Sequence, residues 1–171
     1  MVTEKLLAQL VSSGAVKYGD FLLASGERST YYVDVKTAAT DPALLRLIGE
    51  EIAQIGGFQV VAGVAVGGIP IAVASALASG MPYAIVREKE KAHGREGLII
   101  GDVAGKDVLL VEDVTTSGGS ALFGIRALRT AGARVLRVVT VVDREQGAGA
   151  TLAQEGVILV PLVRARDLQK S

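Results

Sequence analysis

Two neighbouring carboxylates, Glu112 and Asp113, stand directly ahead of Val114-Thr115-Thr116-Ser117-Gly118-Gly119-Ser120, a run made almost wholly of hydroxyls and glycines. Each residue type has a use against a phosphorylated sugar. Carboxylates accept hydrogen bonds from a cis-diol and can hold positive charge, but they repel phosphate. Glycines let backbone N–H groups converge on an anion, the hydroxyls donate, and a helix starting just beyond adds the positive end of its dipole. Ribose 5-phosphate presents both halves of that requirement. The stretch lacks the lysine of G-x-x-x-x-G-K-[ST] and the spacing of G-x-G-x-x-G, so neither the mononucleotide P-loop nor the dinucleotide fingerprint describes it. The plain alternative is a strand-to-helix turn with a capping Ser or Thr, which needs neither acid.

A second chemical stretch is Arg87-Glu88-Lys89-Glu90-Lys91-Ala92-His93-Gly94-Arg95-Glu96-Gly97. It has no apolar side chain larger than alanine, so it cannot bury itself and is expected to be a mobile loop. In extended form, period two sets Arg87, Lys89, Lys91, His93 and Arg95 on one side and Glu88, Glu90 and Glu96 on the other. One edge could then clamp a polyanion such as pyrophosphate. A solvated charged hairpin is the bland reading of the same residues.

The surrounding elements must bring these stretches together. Val108 to Val111 is a short, continuous apolar run, the pattern of a strand buried on both faces. Further strands are expected at 60–66, 83–86, 134–142 and 157–160, with helices at 3–10 (Thr3 as N-cap), from Asp41-Pro42 to Gly56, 69–78, from the hydroxyl loop to Gly132, and 148–155. Strands alternating with helices imply a parallel sheet covered on both faces. Ligands of such sheets bind beyond the carboxyl ends of the strands. Those ends here carry Gly67-Gly68, Arg87, Glu112-Asp113 and Asp143-Arg144-Glu145, so residues far apart in sequence are expected to line one crevice. Near the N-terminus, Phe21-Leu22-Leu23 and Tyr31-Tyr32-Val33 flank Ser25-Gly26-Glu27-Arg28-Ser29 as a β-hairpin. It holds three of the four tyrosines, enough aromatic surface for a lid over a flat substrate.

Composition excludes several classes. At 171 residues, half of them hydrophobic, the chain suits one domain with a sizeable core. The absence of cysteine removes disulfides, thiolate metal sites and thiol nucleophiles. A formal net charge of zero argues against general electrostatic binding to nucleic acid or an anionic membrane. The start, MVTEKLLAQL, lacks the charged-then-apolar pattern of a signal peptide, so a cytoplasmic protein is expected. Residues 59–86 carry no charge, but Gly67-Gly68, Pro70, Ser79-Gly80 and Pro82 interrupt them where βα units place their turns, against a membrane span.

Together these pieces resemble the orotate phosphoribosyltransferases, over most of the chain. The resemblance rests on Ser25-Gly26-x-x-Ser29 followed by Tyr32 and Asp34, on Arg87-x-x-x-Lys91-x-His93-Gly94, on the 5-phosphoribosyl 1-diphosphate (PRPP) motif from Val111 to Ser120, and on Asp143-Arg144-Glu145. It implies a type I phosphoribosyltransferase fold: α/β, a central, mostly parallel sheet flanked by helices, with a small N-terminal hood over about residues 1–38 and a core over 39–171. It further implies transfer from PRPP to orotate with Mg²⁺, giving orotidine 5′-monophosphate and pyrophosphate, with no covalent enzyme intermediate. By resemblance, Glu112 and Asp113 hold the ribose hydroxyls. Val114, Thr115, Thr116, Ser117, Gly118, Gly119 and Ser120 bind PRPP, with Thr116 to Ser120 holding its 5′-phosphate. Arg87, Lys91 and His93 cover the pyrophosphate, with Lys91, His93 and Asp113 the catalytic set. Arg144 takes the orotate carboxylate, Thr116 also binds orotate, and Mg²⁺ travels with PRPP rather than in a protein cage. The loop is implied to act across a homodimer. Some family members carry lysines where Ala24, Gly67 and Glu88 stand, which leaves open whether Lys36 or Lys89 replaces those cations. A purine or other base phosphoribosyltransferase, or a nucleotide-sensing RNA-binding regulator on the same fold, are the alternatives.

Overall fold

The computed structural model describes residues 4–23, 26–89 and 97–169. Its centre is a six-stranded sheet of β3 (Val60–Val64), β4 (Tyr83–Val86), β5 (Ile99–Ile100), β6 (Asp107–Thr115), β7 (Arg134–Asp143) and β8 (Ile158–Arg164), in the order β5-β4-β3-β6-β7-β8. Every neighbouring pair is parallel except β4 and β5. The inner strands are apolar because helices cover both faces. Helices α3 (Pro42–Ala53), α4 (Gly68–Ser79), α5 (Gly119–Thr130) and α6 (Ala148–Ala153) supply most of that cover, and α1 (Glu4–Ser12) and α7 (Ala165–Leu168) complete it. Strands β1 (Val16–Leu22) and β2 (Arg28–Val33) form a separate antiparallel hairpin, followed by the single turn α2 (Val35–Ala38).

Alternation along each strand divides the core in two. Val61, Leu109, Val111, Val139 and Val141 pack with α1, α3, α7 and the hairpin, while Val60, Ala62, Val64, Leu110 and Val138 pack with α5 and Leu152 of α6. Each fully buried Leu, Ile or Val in these layers contributes roughly 1.5–3 kcal/mol. Helix α3 starts as its sequence requires: the Asp41 carboxylate accepts from the Ala43 and Leu44 N–H groups at 2.8 and 3.1 Å, with Pro42 next. Among the described residues no helix is long and apolar enough to cross a membrane.

Several boundaries differ from the sequence expectation. Strand β3 stops at Val64 instead of Val66, and β6 and β7 run on through the acids to Thr115 and Asp143. Glu112 and Asp113 therefore belong to a central strand. Strand β8 continues past Val160 because Pro161 is tolerated on a strand at the sheet edge. The elements α2, α7 and β5 were not expected; four or two residues are too few to show a period. Thr3 lies outside the described residues.

Candidate active site

The order β4-β3-β6-β7 sets four parallel carboxyl ends side by side. The four strand ends named from the sequence are thus neighbours along one edge of the sheet.

Strand geometry separates the two acids. Successive side chains of a strand point to opposite faces. Glu112 faces α5, where its Oε1 accepts from Ser120 Oγ at 2.9 Å. Asp113 faces the hairpin side, where Lys36 Nζ lies 3.5 Å from its Oδ2. Burial is the main cause that pushes the Glu112 carboxyl up to about 7; the Ser120 hydrogen bond opposes it and the neighbouring Asp113 charge adds to it. Asp113 is confined on a third side: a Cβ on Gly67 would lie 2.5 Å from the Asp113 carboxylate. No side chain fits at Gly67 while Asp113 holds this position.

The glycine-hydroxyl loop has the shape its composition implies. Gly118 adopts φ +90, a left-handed value that other residues rarely take, and a Cβ there would meet the Ala148 backbone at 3.2 Å. Helix α5 begins at the next residue with no side-chain cap on its first N–H groups, so they remain available to an anion. Thr116, Ser117, Gly119 and Ser120 are exposed around it. Thr115 is not: it is buried, and its hydroxyl donates to Asp143 Oδ1 at 3.2 Å. Val114 is half-buried and lines a cleft of about 360 Å³ with Tyr32, Asp34, Lys36, Asp113 and Thr116. Asp34 caps α2 by accepting from the Thr37 N–H at 3.1 Å, and that bond is the first cause holding its carboxyl below the ordinary value.

Arg144, at the end of β7, meets the hairpin. Its guanidinium carbon sits 4.7 Å from the centroid of the Tyr31 ring, and its Nη2 approaches Ser29 Oγ at 3.5 Å. Its Nε is buried without a hydrogen-bond partner among the described residues. A buried donor left without a partner is rare in folded proteins. Arg87 is half-buried, and its N–H donates to Leu98 O at 2.8 Å, closing the base of the basic loop. Lys91 and His93, like Ala24 and Ser25 of the hairpin turn, lie outside the described residues.

A larger cleft, of about 750 Å³, opens between the outer face of α5 and residues 97–104. Its one carboxylate, Asp102, is already paired with Lys106 at 2.8 Å. It therefore lacks the carboxylates of Asp34 and Asp113 that line the smaller cleft. The sequence reading missed Tyr31 as the seat of Arg144 and the contact of Lys36 with Asp113, since neither pairing leaves a local signal.

Residues 38–159 match the phosphoribosyl transferase domain family. The orotate phosphoribosyltransferase of Methanoculleus marisnigri is 62% identical over 159 residues, covering 93% of this chain and 94% of that protein. Its counterpart in Methanospirillum hungatei is 57% identical over 169 residues, 98% of both chains. The crystal structure of Mycobacterium tuberculosis orotate phosphoribosyltransferase in complex with PRPP superposes with a TM-score of 0.78 at 34% identity, over 95% of this chain and 96% of that one.

Proposed function

We infer the reaction from one premise: this chain belongs to the orotate phosphoribosyltransferase family of phosphoribosyl transferases. It transfers the 5-phosphoribosyl group of PRPP to orotate, releasing pyrophosphate and forming orotidine 5′-monophosphate for pyrimidine biosynthesis. The observation that carries the site assignment is the convergence, at adjacent strand ends, of a cleft-facing acid, an uncapped helix start and a planar cation seated on the Tyr31 ring.

The 5′-phosphate sits on the N–H groups and hydroxyls of residues 116–120, where the start of α5 favours negative charge. The ribose hydroxyls donate to Asp113 and to the Glu112 oxygen that Ser120 leaves unused. Arg144 turns its fork to the orotate carboxylate; a planar guanidinium suits bidentate recognition. Departure of pyrophosphate from C1 leaves an oxocarbenium-like ribose, and Asp113 on the hairpin side of the crevice favours that cation. Arg87, Lys91 and His93 cover the leaving group and keep water from C1.

Mg²⁺ suits this site as a companion of PRPP. Among the described residues no three carboxylate or imidazole groups converge, whereas Mg²⁺ is commonly held by substrate phosphates with one or two carboxylates. When bound, it offsets charge on the departing pyrophosphate.

The working form is a cytoplasmic homodimer with the basic loop reaching the neighbouring site. The support is a charge-free helix, α4, whose Leu77 is 82% exposed, together with the exposed apolar side chains Met81, Tyr83 and Ile100. Leu77→Glu is expected to give a monomer in light scattering, and an unchanged dimer would exclude this face. The reaction itself is tested by supplying Mg²⁺ and PRPP with orotate, uracil, adenine, guanine or xanthine in turn. Pyrophosphate release with orotate alone is expected; release with a purine base would overturn the assignment.

A further inference from the structure

Arg144 is held by a closed ring of contacts that passes through the C-terminal helix. Its own N–H donates to Thr115 O at 2.9 Å. On either side of it, Asp143 Oδ1 accepts from the Glu145 N–H at 3.0 Å, and Glu145 takes the left-handed backbone, φ +57, that side-chain-bearing residues avoid. What holds Glu145 there is α7. The Glu145 carboxylate accepts from the Arg166 N–H at 3.1 Å, from Arg166 Nε at 2.7 Å and from Arg166 Nη2. Two residues on, Leu168 O accepts from the Tyr18 hydroxyl at 2.5 Å. Tyr18 is the cross-strand partner of Tyr31, the ring under the Arg144 guanidinium. Leu168 is fully buried in the same core layer as Tyr31.

We propose that α7 is a positioning element for base recognition, and that Arg166, acting through Glu145, is the positioning residue that aims Arg144 at the carboxylate of a planar acidic base. This rests on the reading of Arg144 given above. The role is geometric and separate from stability, because the Arg166 side chain is 62% exposed and pairs with an exposed partner add little to folding. Its bonds still hold the Glu145 carboxyl below its ordinary value, chiefly through the Arg166 side-chain hydrogen bonds, so the acceptor stays ionised.

The test uses the full chain with Mg²⁺ and PRPP, measuring KM for orotate and for PRPP, kcat and Tm. Arg166→Gln is expected to raise the orotate KM roughly tenfold, leaving the PRPP KM and Tm near their original values. Arg166→Lys restores only part of the loss, since an ammonium lacks the fork. Glu145→Gly relieves the backbone and keeps or raises Tm, yet raises the orotate KM as Arg166→Gln does. The double variant Glu145→Gln/Arg166→Gln is no worse than either single one. An unchanged orotate KM in Arg166→Gln and Glu145→Gly would overturn the proposal, provided Arg144→Ala raises it on the order of a hundredfold. Equal losses in both KM values together with Tm would also overturn it, as the mark of a merely structural helix. If Arg144→Ala itself leaves the orotate KM unchanged, the reading of Arg144 fails instead.

Discussion

The two halves of the crevice are built by opposite strategies. On the sugar-phosphate half, only the turn 116–118 separates β6 from α5, and the bond from Ser120 to Glu112 spans eight residues. Everything there hangs on a central strand flanked on both sides by others. On the base half, Arg144 meets Ser29 across 115 residues and Tyr18 meets Leu168 across 150. Its platform is a two-stranded hairpin, which has little stability of its own and depends on packing against the main body. The contrast teaches where each task can be encoded. Gripping a phosphorylated ribose needs a short, rigid, contiguous stretch; choosing the base needs surfaces that only tertiary contact brings together.

If the central half carries the chemistry, the largest effect follows from its cleft-facing acid. Asp113→Asn keeps the shape and removes the charge, and is expected to lower kcat by about 10²–10³ with the PRPP KM little changed. Near-normal turnover would break the comparison outright. Lys91→Ala is expected to fall almost as far, and unchanged kinetics there would remove the pyrophosphate clamp.

The next effect tests how rigidly that half is buried. Glu112 has its carboxyl raised from 4.5 to about 7, so the folded protein holds a proton that the unfolded chain releases. Folding is then favoured by this group below about pH 4.5, and the contribution is lost as pH rises towards about 7, a change on the order of 3 kcal/mol. Glu112→Gln keeps the side chain's shape without titrating. It should flatten the pH dependence of the urea midpoint between about pH 5 and pH 8 and be more stable than the parent at the upper end. Parallel pH profiles for the two proteins would show that Glu112 is solvated after all.

The same contrast explains what could be read in advance. The apolar runs at Val108–Val111 and Val60 onwards, the Asp41-Pro42 cap and the glycine-hydroxyl loop are local signals, and their elements appear where expected. Charged residues look like the end of a buried run, so the strand through Glu112 and Asp113 reads shorter in the sequence than it is, although period two alone sets them on opposite faces. Nothing within a few residues of Arg144 tells of Tyr31, and nothing near Lys36 tells of Asp113. Pro161 hid the length of β8 and with it the helix that follows. Elements of two to four residues, such as β5 and α2, exist only through their neighbours.

A smaller effect belongs to the loop's backbone. Gly118→Ala forces a side chain into φ +90 and against Ala148, costing roughly 1–2 kcal/mol of stability. It should raise the PRPP KM more than the orotate KM, measured by varying each substrate at saturation of the other. The reverse pattern would mean that the phosphate half and the base half are not separate.

The smallest expected effect lies where the halves touch. Lys36, on α2 beside the hairpin, reaches Asp113 on the central strand at 3.5 Å. The lysine side chain is 61% exposed, so most of the attraction is screened and about 1 kcal/mol is its ceiling. Lys36→Met should therefore cut kcat/KM for PRPP by no more than about fivefold at low ionic strength. The deficit should shrink towards nothing as salt rises to roughly 0.5 M, where the screening length falls to a few ångströms. A loss nearer a hundredfold that ignores salt would place the Lys36 ammonium on the reacting phosphates, and the base half would then share the chemistry. No loss at any salt concentration would leave the central acid independent of the hairpin, with Gly67 alone fixing its position.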